Sequence, residues 1–161
     1  MISLTLGVFL WIGAHLFKRI LPSQRAAMGR AGRGVVAILI LVSLVLMVLG
    51  YREAEDDPLY VLPLWAWYLN NLLMLAAIFM MDVGRAKGVV RTKIRHPMLL
   101  GGVLWSVAHL LVNGDLPSLA LFGGLGVWAL VEMAVISKAE GAWRRPETGS
   151  LRADGKVALF A

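Results

Sequence analysis

Five apolar stretches alternate with polar connections along the chain: Ile2–Phe17, Gly34–Tyr51, Tyr60–Met81, Pro97–Val112 and Leu116–Ser137. A helix that crosses a bilayer takes about 20 such residues, within a range of about 17 to 25. The second, third and fifth stretches meet that length, and the first and fourth reach it by borrowing flanking residues. The pattern predicts an all-α, polytopic transmembrane helical bundle of about five spans. It also divides the chain into a helical membrane domain, residues 1–140, and a tail, residues 141–161. The tail carries Gly, Pro and Arg without periodicity, so it is expected to be loosely ordered. An Asn-Gly turn and a Pro near the next helix start join the last two stretches through NGDLP, which predicts an antiparallel hairpin there.

Composition agrees with the pattern. Hydrophobic residues make up 59% of the 161 and charged residues only 16%, where soluble domains hold about a quarter charged. The absence of cysteine excludes disulfides, thiolate metal sites, iron–sulfur clusters and covalent haem attachment.

Charge adds an orientation. Lys18, Arg19, Arg25, Arg30 and Arg33 follow the first stretch, and Arg85, Lys87, Arg91, Lys93 and Arg95 precede the fourth. Lys138, Arg144, Arg145, Arg152 and Lys156 follow the fifth, whereas Arg52 stands alone among Glu53, Glu55, Asp56 and Asp57. Basic residues mark cytoplasmic loops, so the N-terminus is expected outside and the tail in the cytoplasm. The net charge of +6 then reads as loops facing anionic membrane lipid, with no nucleic-acid partner. The first stretch has no charged region ahead of its apolar core, which favours a permanent span over a cleaved signal.

Polar groups inside the apolar stretches are the candidates for chemistry, because each costs about 2.5 to 3.5 kcal/mol at mid-bilayer when ionisable. They are His15, Asn70, Asn71, His109 and Glu132. A tryptophan precedes four of them by four residues: Trp11 and His15, Trp67 and Asn71, Trp105 and His109, Trp128 and Glu132. Residues i and i+4 share a helix face, so four helices are expected to turn an indole and a polar group inward together. On the fourth stretch, Gly102, Trp105, Ser106, His109 and Asn113 form one face.

His96 lies thirteen residues before His109, about 220° around the helix and about 20 Å along it. The two therefore need separate explanations. His96, beside Arg95 and ahead of Pro97 at a helix start, is either a solvated boundary residue or part of an anion site. His109 and His15 are either interhelical hydrogen-bond partners or metal and haem ligands, since neutral imidazole is the common axial ligand. Glu132 is either paired at the cytoplasmic mouth or a proton-handling carboxyl, and Asn70 and Asn71 read as interhelical glue.

The stretch RHPMLLGGVLWSVAHLLVNGDLPSLALFGG, with the earlier GAHLFKRILPS and VLGYREA, resembles the NnrU family of bacterial membrane proteins over most of residues 7 to 130. That resemblance implies a multi-pass protein of the bacterial inner membrane associated with denitrification, and denitrification proteins as partners. The chain is also similar to plant zeta-carotene isomerase, a membrane enzyme with a non-covalent haem b held by histidines. By motif, the isomerase histidines fall on His15 and His109, and His96 matches the histidine of RHP. The likeness implies haem b between His15 and His109, walled by Trp11 and Trp105, with isomerase-type or redox chemistry on a lipid-soluble small molecule. Depth favours His15 with His96 instead. A more distant likeness, through RHP, is to isoprenylcysteine and phospholipid methyltransferases, which implies S-adenosylmethionine chemistry at His96 and Arg95. Those enzymes carry two adjacent glutamates near the C-terminus, and here Glu132 and Glu140 stand apart. A third reading is a non-enzymatic assembly subunit.

Overall fold

A computed structural model describes residues 1–160. Five long helices carry the fold: α1 (Ile2–Ile20), α3 (Ala31–Arg52), α4 (Trp65–Val83), α6 (Pro97–Val112) and α8 (Gly124–Glu140). The short α2 (Pro22–Ala27), α5 (Val90–Lys93) and α7 (Leu116–Ser118) lie in the connections, and α9 (Leu151–Phe160) lies in the tail. No strand is formed among the described residues; one isolated bridge pairs Pro58 with Asp115.

Local chemistry sets the boundaries. His96 precedes Pro97, which occupies the first turn of α6, where its missing N–H is not needed. The Asp115 side chain accepts from the Ser118 backbone N–H at 2.7 Å and from its hydroxyl at 2.9 Å, capping α7. From there the chain runs without a break through a π-helical turn, Leu119–Gly123, into α8. Tyr60, expected to open the third span, lies ahead of α4 in a non-helical segment. Its hydroxyl donates to the Leu110 carbonyl, and it packs against Gly114.

Three helices are long and apolar enough to cross a membrane: Ala31–Arg52, Trp65–Val83 and the continuous Leu116–Glu140. Pro97–Val112 is a shorter apolar helix, and α1 ends on Lys18 and Arg19. The helices stand in a row, in the order α3, α1, α8, α6, α4, each packed mainly on its neighbours. Both faces of such a row remain rich in exposed apolar side chains, including Ile38, Leu41, Leu72, Leu75 and Val127, as lipid contact requires. Its largest buried group is Leu4, Val8 and Met47, between α1 and α3.

Glycines let neighbouring backbones close up. A Cβ on Gly101 would stand 2.8 Å from the Ala77 carbonyl oxygen of α4, and one on Gly126 would stand 3.0 Å from Ser106 Cβ of α6. Close approach through small residues is how helices gain packing where water supplies no drive. The α6–α8 pair is the expected antiparallel hairpin.

The expectation of a loosely ordered tail differs from what is found. The Asp154 carboxylate is 8% exposed and accepts from Val89 N–H at 2.7 Å and Val90 N–H at 3.1 Å. Ser150 N–H donates to the Lys87 carbonyl at 3.0 Å. These are polar anchors, and hydrophobic periodicity carries no sign of them.

Gly101→Ala should destabilise the protein by about 1 to 3 kcal/mol, because the α4 backbone cannot yield as a side chain would. Gly13→Ala, with nothing within 4 Å of the added carbon, should be neutral or slightly stabilising. Thermal unfolding of the two variants in detergent checks the contrast, and equal melting temperatures would refute the packing argument.

Candidate intramembrane site

The α1–α8 contact gathers several of the polar groups singled out in the sequence. Trp11 and His15 stack along α1 with ring centroids 4.2 Å apart. Trp128 of α8 meets His15 at 4.8 Å and Trp11 at 5.5 Å, edge-on in both cases. Glu132, one turn beyond Trp128, is 9% exposed and lies on the side of α8 nearest His15 and Arg19 of α1.

The tautomer of His15 follows from its partner. Its Nδ1 lies 2.9 Å from the Trp11 carbonyl oxygen, and a carbonyl only accepts. Nδ1 therefore carries the proton, and in the neutral ring Nε2 holds the free lone pair. At this contact, among the described residues, Trp11 Nε1, Trp128 Nε1 and Glu132 Oε2 are buried without a hydrogen-bond partner. Buried polar groups are nearly always paired, so these atoms stand out at the contact of α1 with α8.

His109 belongs to a different cluster. It stacks on Phe122 at 4.2 Å with planes 2° apart and meets Trp105 at 4.8 Å. Trp105 in turn meets Phe122 at 5.0 Å. The Asn113 amide donates to the His109 carbonyl at 2.9 Å and lies 3.4 Å from His109 Nδ1. Phe122 sits in the π-helical turn, a distortion that often marks functional sites. Nothing in the apolar run LALFGG announces that turn.

His15 meets α8 at Trp128 and His109 meets it at Phe122. Six residues of helix separate those levels, about 9 Å of rise. The structure therefore does not bring His15 and His109 together, and the packed residues do not fit a single haem ligated by both. His96 lies at the opposite end of α6, with its Nε2 2.9 Å from Ser137 Oγ, about 13 Å of rise from the Trp128 level. Arg95 donates to the Gly141 carbonyl at 2.9 Å. Among the described residues, no group of three His, Cys, Asp or Glu side chains is placed to hold a metal ion.

One inward pair is corrected. Trp67 is 54% exposed and Asn71 is exposed beside it, because α4 uses Ala66 and Ala77 as its buried face. Asn70 donates to Asn71 at 3.1 Å along their own helix and glues no neighbour.

Burial, with the Arg95 guanidinium second, holds the His96 pKa below its ordinary 6.5, while Glu140 pulls partly the other way. The folded protein thus favours the neutral ring. Its contribution to stability is complete above pH 6.5 and is lost as pH falls below that value. His96→Gln keeps a polar group beside Ser137 and cannot titrate. Melting temperatures measured at pH 8 and pH 5 should drop less for this variant than for the unaltered protein; equal drops would refute the assignment.

Comparison with known proteins reaches the level of family. No curated protein and no solved structure matches the chain. The family described as NnrU protein matches residues 3–161, essentially the whole chain with its row of apolar helices, and the protein belongs to the NnrU family.

Proposed function

We propose that this NnrU-family protein works in the bacterial cytoplasmic membrane, with its basic helix ends in the cytoplasm, and that its centre is the niche between α1 and α8. The substrate class is a lipid-soluble molecule, which reaches such a niche from the bilayer side of an open helix row. A link to denitrification belongs to the same reading.

One observation carries it. His15 Nε2 keeps an unengaged lone pair among a buried carboxylate and two unpaired indole N–H groups. A histidine whose other nitrogen is fixed by a carbonyl is the usual arrangement for an imidazole ligand. His15 is thus the residue that would hold a haem b, and a bound haem would supply one-electron or Lewis-acid chemistry. Trp11 and Trp128 wall the niche and offer donors to an acceptor atom, and Glu132 offers a carboxyl within the apolar layer.

An absorption spectrum of the detergent-purified protein, expressed with ample haem, tests the reading. A Soret band is expected, lost in His15→Ala and kept in His109→Ala. A spectrum without a Soret band would reject haem. A band lost only in His109→Ala would move the ligand to the other cluster.

A further inference from the structure

A cleft of about 610 Å3 opens at the basic end of the helix row. Its lining brings together Arg19 of α1, Arg91 of α5, Arg95 and His96 ahead of α6, and Trp143 and Arg144 of the tail. The one carboxylate among the lining residues is Glu140, which pairs with Arg19 at 3.1 Å and reaches Arg95 at 3.8 Å. Four guanidinium groups against one carboxylate leave an excess of three positive charges. Among the described residues, Arg91 and Arg144 make no ion pair.

Such an excess in one concavity repels itself unless an anion enters. Guanidinium groups match the planar and tetrahedral oxygens of carboxylate and phosphate with two parallel hydrogen bonds each. The cleft is also walled by Ile136 and Trp143. A second recess of about 300 Å3 shares Gly84, Arg95, His96 and Pro97 with it and runs onto Met98 and Leu99 of α6. Met98 is 45% exposed, so the path from the arginines continues onto the apolar side of the α4–α6 pair. A charged end and an apolar continuation fit opposite halves of one molecule.

We infer that this cleft binds the phosphate-type oxyanion of an amphiphilic molecule, with the apolar part laid along α6 toward Met98. The assignment does not depend on haem or on the niche at His15. Two sources share the chemistry, a lipid with a terminal phosphate and a free phosphate in solution, and the apolar recess favours the lipid.

Native mass spectrometry of the full chain in detergent, titrated with dioleoyl phosphatidic acid or phosphatidylcholine, tests it. Phosphatidic acid should bind more than tenfold tighter than phosphatidylcholine. Arg91→Gln with Arg144→Gln should weaken it at least tenfold, since neither side chain holds a carboxylate the fold uses. Arg30→Gln with Arg33→Gln removes the same charge at the same end outside the cleft, and should change binding by less than twofold. Equal losses in the two double variants would overturn the site in favour of a diffuse positive field. Full displacement of the lipid by equimolar inorganic phosphate would overturn the amphiphile and leave a free-phosphate site. Should the first double variant fail to fold by circular dichroism, Arg144→Gln alone, on the tail, is expected to weaken binding measurably, and no change would refute the cleft.

Discussion

The close contact of α6 with α8 sets the depth of nearly every polar group in the bundle. Ser106 faces Gly126, with no room for a further carbon between them. That contact lies within the antiparallel register of α6 on α8, which further contacts carry along both helices. The register puts His109 level with Phe122 and His96 level with Ser137. Because α1 packs on the same α8, His15 takes its level from Trp128. The three histidines of the chain therefore lie at three depths, each with its own neighbours. A chemistry that needs two of them on one atom would have to break that register.

The charge pattern follows from the same up-and-down order. Five long helices that alternate in direction send alternate connections to the same side. Fifteen of the sixteen Lys and Arg side chains thus meet at one end, while Arg52 sits at the other with Glu53, Glu55, Asp56 and Asp57. Concentration at one end is what makes a cleft with surplus arginines possible. The tail adds to it by crossing that end, held through Asp154 and the backbone of residues 87–90. Arg144 and Trp143 are thereby brought beside Arg19, which precedes them in the chain by more than a hundred residues.

Much of the fold was legible because the membrane makes hydrophobic length a direct readout of helix position. The fourth stretch, Pro97–Val112, matches α6 to the residue, since Pro and Asn-Gly bracket it. The Trp-to-polar spacing found the inward faces of α1, α6 and α8. It failed at Trp67 and Asn71 because spacing says which residues share a face and not which face packs; small Ala66 and Ala77 decided that for α4. Helix order in the row was not legible either. The α1–α8 neighbourhood, and with it the company of His15 and Glu132, depends on contacts more than a hundred residues apart. The anchoring of the tail rests on one carboxylate receiving two backbone N–H groups, and a lone Asp in a polar segment gives no such signal.

Arg19 joins the two regions. It lies one turn beyond His15 on α1 and pairs with Glu140 at the rim of the cleft. An anion bound in the cleft would compete with Glu140 for that side chain. His15 and Arg19, four residues apart, thus put the interior contact with Trp128 and the rim of the cleft on a single face of α1.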